Sequence, residues 1–260
     1  MRRVLVIFHV YYHDQVDWFI DRMKNISGCR WELVVTCQAF TDELREKFHA
    51  FRHDVRFVEV ENVGYDVWPF IKVVKSMDLS GYDCILKLHT KRPLDRKESI
   101  NRVDLKGYRW RNILVDSLLG SSKRFEKCMS MMQDGAVGMV CSYELFMSLR
   151  DYLPEDTFML EGESERIGVA MKGKGFCAGT MFMVKPEALE KIRRADFPLE
   201  MWNKVSRSNS TGSAAHVYER LLCLAVYDAG LEIRFSKYGF GTSVAAGIYK
   251  LYRKIRYAEE

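Results

Sequence analysis

Tyr82-Asp-Cys-Ile-Leu-Lys-Leu-His-Thr-Lys-Arg-Pro93 changes character halfway along its length. Cys84, Ile85, Leu86 and Leu88 follow the turn signal Ser80-Gly81, and a short apolar run bounded in this way reads as a buried strand. His89, Thr90, Lys91 and Arg92 then crowd donors and cations against Pro93, which ends the strand. In an open α/β sheet, ligands bind in the crevice beyond the carboxyl ends of the strands. The stretch therefore predicts an α/β sheet and, at its edge, a place suited to a diphosphate.

On the N-terminal side, Val4–Phe8, Trp31–Thr36 and Val55–Val60 read as further strands. Between them fall a helix at Gln15–Asn25 with Asp14 as its cap, a second opened by Thr41, and a third over Gly64–Val74. Alternation at this spacing implies βαβ units and a mainly parallel sheet flanked by helices. No G-x-G-x-x-G or Walker loop accompanies it, which excludes the usual dinucleotide oxidoreductase and P-loop enzymes.

On the C-terminal side, Asp95–Asn101 reads as a charged mobile segment, followed by helices at Asp104–Leu119 and Ser121–Met132. Val137–Cys141 is a strand, and residues 142–174 read as an irregular lid or substrate loop. Phe176–Val184 is a strand broken at Gly179, and a helix with Pro186 in its first turn runs to about Arg194. Ser206–Ser213 reads as a linker into a helix at Ala214–Ala229, and Leu231–Phe235 is the last strand.

Three places carry candidate chemistry. In Asn62-Val-Gly-Tyr-Asp-Val-Trp-Pro-Phe70, Asp66 reads either as a helix cap or as the acceptor for a ribose or sugar hydroxyl. Alternation along the second strand end puts Lys87, His89 and Lys91 on one face and Thr90 on the other. A lysine between Leu86 and Leu88 needs a partner, either a diphosphate or a carboxylate such as Asp66, unless it belongs to a salt-bridged edge strand. His216 and Glu219 lie three apart on one helix and so share a face. Apolar neighbours would desolvate Glu219 and raise it toward a useful base; the alternative is an exposed helix with Glu219 and Arg220 in water.

Bulk properties narrow the classes. With 260 residues, 48% apolar and 29% charged, the chain is long and apolar enough for a substantial core, which argues against disorder. Seven cysteines without a C-x-x-C pair, and six histidines without H-x-H spacing, predict buried free thiols and no dedicated metal site. A net charge of +5 suits a phosphate ligand or an anionic membrane as readily as nucleic acid, and Asp95 and Glu98 interrupt the basic run that a nucleic-acid binder would need. Arg2-Arg3 is followed by only about seven apolar residues, too short a pattern for a leader, and nothing approaches the roughly 18 of a spanning helix. The expectation is a soluble cytoplasmic protein. Gly247–Tyr257 interleaves aromatics with basic residues, which suits either peripheral contact at the inner face of the plasma membrane or a solvated helix packed on the domain.

Taken together, His9-Val-Tyr-Tyr12, Asn62–Phe70, Leu86-Lys-Leu-His-Thr-Lys91, Trp110–Gly120, Val137–Val140 and Phe176-Cys-Ala-Gly-Thr-Met-Phe182 resemble the rhamnan synthesis protein F family, glycosyltransferases of bacterial surface-polysaccharide assembly. The resemblance runs from Val4 to Tyr238; the family pattern carries Gly-Arg-Asp where this chain has Gly64-Tyr65-Asp66. It implies an α/β, GT-A-like fold: a Rossmann-type, mainly parallel sheet flanked by helices in a single merged domain over residues 1–243. Residues 1–93 would form the nucleotide-binding half, 94–243 the acceptor half, and 244–260 a basic aromatic helix.

It further implies an inverting transfer of a sugar from a nucleoside-diphosphate donor, dTDP-rhamnose, to a growing glycan or lipid-linked glycan. His9, Asn62, Gly64, Asp66, Lys87, His89, Thr90 and Lys91 would meet the donor, Trp110, Gly179 and Thr180 the acceptor, and Glu219 with His216 the chemistry. Such folds usually bind a divalent metal through Asp-x-Asp where this chain reads Lys87-Leu-His89, so the expectation is a metal-independent enzyme without a cofactor, those cations neutralising the diphosphate directly. The rival is a non-catalytic sugar-nucleotide or glycan-binding module.

Overall fold

A computed structural model describes residues 1–149, 154–202 and 213–256 of the protein. In the first half, β1 (Arg3–His9), α1 (Val16–Met23), β2 (Arg30–Cys37), α2 (Asp42–Phe51), β3 (Arg56–Glu59), α3 (Val67–Ser76) and β4 (Cys84–His89) alternate as the periodicity predicts. The second half holds β5 (Leu94–Ile100), β6 (Val103–Gly107), α4 (Arg109–Leu119), α5 (Ser122–Met132), β7 (Val137–Ser142), β8 (Phe146–Ser148) and α6 (Pro154–Ile167). It continues with β9 (Gly175–Cys177), β10 (Phe182–Val184), α7 (Glu190–Arg194), α8 (Ala214–Asp228), β11 (Glu232–Ser236) and α9 (Phe240–Arg256).

Among the described residues, seven strands form one sheet in the order β11-β7-β10-β4-β1-β2-β3. β1 runs parallel to β2 and β4, β2 to β3, and β7 to β11. β10 is antiparallel to both of its neighbours, β4 and β7. It thereby joins strands from both halves of the chain into the single, mainly parallel, helix-flanked sheet expected. Val4–Phe8 and Cys84–His89 are wholly buried, as central strands covered on both faces must be.

Local chemistry explains the joints. Thr41 Oγ1 accepts the Leu44 amide at 3.2 Å and opens α2. Ser121 Oγ accepts the Arg124 amide at 3.2 Å and opens α5. Gly179 and Thr180 adopt φ values of 96° and 48°, and this left-handed pair separates β9, paired with β8, from β10 in the main sheet.

Several expectations are corrected. Asp14 caps nothing: it lies inside a 3-10 turn, His13–Gln15, and α1 opens without a side-chain cap. Asp95–Asn101 is not a loose segment but one arm of the β5–β6 hairpin, turned by Asn101 and Arg102 at φ 50° and 59°. Residues 104–107 are therefore strand, and the helix begins at Arg109. The stretch 142–174 is not irregular, since β8 and α6 lie within it. The linker expected at Ser206–Ser213 falls outside the described residues apart from Ser213, which caps α8. The C-terminal helix starts at Phe240, earlier than the expected 244, and residues 257–260 lie outside the described part. All seven cysteines are free thiols, and Cys84, Cys141 and Cys223 are buried. No described helix is long and apolar enough to cross a membrane.

Candidate active site

β1 and β4 run side by side with His9 opposite His89, so both histidines emerge at the same edge of the sheet. Behind them Lys87, only 1% exposed, points into the crevice from the centre of the sheet. Its ammonium lies 2.5 Å from Asp66 Oδ2 and donates to Thr180 Oγ1 at 2.9 Å. Thr180 Oγ1 donates to the same carboxylate oxygen. Asp66 precedes α3 without capping it, so of its two readings the capping one is set aside. The edge-strand reading of Lys87 falls too, because β4 lies between β1 and β10.

Burial alone would raise the Asp66 carboxyl, but the His89 ring, the Lys87 ammonium and the hydrogen bonds from Lys87 and Thr180 hold it well below the usual carboxylate range. It is ionised at neutral pH. His89 is pinned between two carbonyls, with Nδ1 2.9 Å from Thr90 O and Nε2 2.8 Å from Gly179 O. Burial pushes the ring down to about 4 against the pull of Asp66, and Lys87, at 2.5 Å, is the cation paired directly with Asp66. Lys87 is thus spent inside the protein, and direct contact between its ammonium and a diphosphate is not what the geometry offers.

The Gly179 peptide links this cluster to α8. Its carbonyl faces His89, and its amide donates to Glu219 Oε1 at 2.7 Å. Arg220 Nη1 lies 3.2 Å from Glu219 Oε2. The Glu219 side chain is 15% accessible, withdrawn from bulk water but not sealed from it. Burial pushes its carboxyl up to about 7, while the Gly179 amide and Lys91 pull the other way. The exposed-helix alternative for Glu219 and Arg220 therefore does not hold.

Lys91 Nζ sits over the Trp110 ring, 3.8 Å from its centroid, and Trp110 Nε1 donates to Ala178 O at 3.3 Å. Burial lowers the Lys91 ammonium, with Asp66 and Glu219 opposing. Lys91, two residues beyond the end of β4, thus has both carboxylates in electrostatic reach. His9 Nδ1 lies 3.0 Å from Thr36 Oγ1, and burial pushes its ring down to about 4.

The other expected residues are placed differently. The Thr90 hydroxyl accepts the Tyr11 and Tyr12 amides at 2.9 and 3.0 Å, which fixes the loop after β1. Gly64, at φ 63°, packs so closely that a Cβ would lie 2.7 Å from both Trp202 and Trp68, so aromatic packing demands this glycine. Asn62 is exposed on the same loop. His216 Nδ1 pairs with Ser213 Oγ at 2.6 Å, and its ring meets Tyr65 edge-on at 5.8 Å.

Residues not anticipated also shape the crevice. Gln15 is buried and clamps the Lys91 backbone, donating to its carbonyl at 2.9 Å. Arg111, also buried, stacks between Trp18 and Tyr108 at 3.8 and 4.2 Å. A single buried polar residue at a helix start, as Gln15 is, leaves no periodic signal in sequence. Among the described residues no group of three or more His, Cys, Asp or Glu is placed to hold a metal ion.

Protein WxcX of Xanthomonas campestris, itself uncharacterised, is 22% identical over 230 residues, 88% of this chain and 32% of its own length. The chain thus spans about a third of the curated relatives it matches. Similar solved structures include S. aureus TarS 1-349 in complex with UDP, 11% identical at a TM-score of 0.47, covering 91% of this chain and 57% of that one. The mannosyltransferase PcManGT of Pyrobaculum calidifontis, in complex with GDP-Man and Mn2+, is 12% identical at a TM-score of 0.46, covering 91% and 56%. The pattern of the family described as rhamnan synthesis protein F matches residues 1–231, so this chain belongs to the rhamnan synthesis protein F family.

Proposed function

We propose that the chain is an inverting glycosyltransferase that moves a sugar, with rhamnose as the candidate, from a nucleoside-diphosphate donor to a growing surface glycan. The observation that carries this reading is Glu219: a partly accessible carboxyl, pushed up to about 7, on the same Gly179 peptide that meets the Asp66–Lys87–His89 cluster. A general base works best when its pKa lies near the working pH.

In the reaction, Glu219 takes the proton of an acceptor hydroxyl as that oxygen forms its bond to the anomeric carbon. The bond from that carbon to the diphosphate breaks, and its electrons leave with the nucleoside diphosphate. Lys91 stands closest in character to what the growing negative charge needs. Asp66 Oδ2 carries the contacts to Lys87, Thr180 and His89, which leaves Oδ1 to accept a hydroxyl of the donor's ribose or sugar. Gly179 and Arg220 orient the base, and His216, one turn earlier on α8, faces the acceptor side with Tyr65.

The donor set does not fit a divalent cation. Where a carboxylate pair would stand, β4 ends in Lys87 and His89 with Lys91 two residues beyond, and the nearest carboxylate, Asp66, is already tied to an ammonium. No step is therefore routed through a metal. The test is calorimetric titration with dTDP, UDP and GDP, with magnesium and again with EDTA. Binding of one nucleotide, equal in both buffers, is expected; no binding to any of them would overturn the reading, and binding lost with EDTA would overturn its metal-free form.

A further inference from the structure

α9 is built inside out. Along Phe240–Arg256, Ser243 and Ala246 are buried and Lys250 is half-buried, whereas Phe240, Val244, Ile248, Leu251, Tyr252 and Ile255 form one outward stripe at helical spacing. Phe240 is 89% exposed, Ile248 66% and Leu251 60%, values that packing on the domain would not leave.

The inward face is held by polar contacts instead. Ser243 Oγ donates to the buried Glu144 at 2.5 Å, and Lys250 Nζ donates to Tyr143 O at 2.5 Å while lying 4.0 Å from the Tyr143 ring centroid. The helix is thus anchored firmly, with its apolar side turned away from the protein. A contiguous exposed apolar patch of this kind marks an interaction surface.

Charge indicates what covers it. Phe240–Arg256 carries Lys250, Arg253, Lys254 and Arg256 and no acidic residue. Beside its first half lies a groove of about 440 Å³ lined by Arg124, Lys237, Tyr143, Phe240 and Val244. The Arg124 guanidinium donates to the carbonyls of Lys237 and Tyr238, contacts that leave its positive charge in place. Apposing two copies of this face would bring like charges together, whereas an anionic bilayer supplies apolar depth and negative charge at once.

We propose that α9 docks the protein on an anionic phospholipid surface, with Phe240, Val244, Ile248, Leu251 and Ile255 in the headgroup–acyl boundary and Lys237, Arg124 and Lys254 against phosphate. The placement suits the crevice. β10 is antiparallel to both β4 and β7, so β4, β7 and β11 end at the same sheet edge, and α9 begins four residues after β11. Arg102 of the β5–β6 turn stacks on Tyr249 at 5.7 Å, which joins the helix to the hairpin that follows β4. The docking surface does not depend on the reading of Glu219, and its test reads no turnover.

The experiment is co-sedimentation of the full chain with phosphatidylcholine vesicles, with and without phosphatidylglycerol. Binding to the anionic vesicles alone, weakened by salt, is expected. Ile248→Asp/Leu251→Asp should reduce it by about tenfold or more, and Lys237→Glu/Lys254→Glu by a similar factor, with unchanged circular dichroism. Equal binding to both vesicle types, indifference to both double variants, or no vesicle binding together with a dimer that Ile248→Asp/Leu251→Asp dissolves would each overturn the proposal.

Discussion

The amide of Gly179 donates to Glu219 Oε1 at 2.7 Å, and the carbonyl of the same residue meets His89 Nε2 at 2.8 Å. One glycine thereby ties the candidate base on α8 to the end of the central strand β4. Its φ of 96° belongs to the region that favours glycine, and a Cβ there would lie 2.7 Å from Leu114 Cδ1 and 2.9 Å from Trp110 Nε1. Gly179→Ala should cost about 1–3 kcal/mol from the backbone alone, plus the clash. Urea unfolding measures the loss, and turnover should fall with it because the Glu219 contact moves.

Glu219 makes a stability prediction independent of activity. Its carboxyl sits at about 7 in the folded protein against 4.5 ordinarily, so between those values the folded state binds more protons than the unfolded chain. Stability attributable to this group falls as pH rises through that window and levels off above it. The difference corresponds to at most roughly 3 kcal/mol. Glu219→Gln should therefore be more stable than the parent at pH 8 and about equal near pH 4.5, as thermal melts at the two values would show.

Activity should follow the opposite slope. A base must be deprotonated, so turnover is expected to rise through pH 7 and reach a plateau, with the rise absent in Glu219→Gln. Steady-state rates of donor consumption across pH check this directly.

Asp66 and Lys87 differ in what their loss leaves behind. Asp66→Asn strands a fully buried ammonium and should cost about 3–5 kcal/mol. Lys87→Met leaves a carboxylate whose side chain is 19% accessible and can reach water, so it should cost less. Because Asp66 is held below its ordinary 3.8, its stabilising contribution is complete above that pH and is lost as pH falls below it. Denaturant midpoints for both variants test the ranking.

Lys91 bears on the donor. Replacing it with Met removes the cation over Trp110 without stranding a charge, and nucleotide affinity should drop by about tenfold or more. Titration calorimetry with dTDP reads the change.

The sequence made the strands legible wherever burial was continuous: Val4–Phe8 and Cys84–Leu86 are apolar because both faces of β1 and β4 are covered. Lys87 and Glu219 stand out as polar groups among apolar neighbours, and His89 and Lys91 as part of a crowd of donors at a strand end. Asp66, 21 residues from Lys87, was one of the two partners the sequence offered for that lysine, whereas Thr180, 114 residues from Asp66, was set by the fold alone. The β5–β6 hairpin escaped notice because Asp95–Ser99 is exposed on both faces and shows no apolar alternation. The stripe on α9 was seen as interleaved basic and aromatic residues, but only the packing of Ser243 and Lys250 shows which side faces out.

If Glu219 drives transfer in a crevice that needs no metal, hydrolysis of dTDP-rhamnose, with water as the acceptor, should proceed at an unchanged rate in EDTA. Glu219→Gln should lower that rate by about a hundredfold or more while dTDP still binds. Equal turnover in the two proteins, or turnover that disappears with EDTA, would contradict this reading.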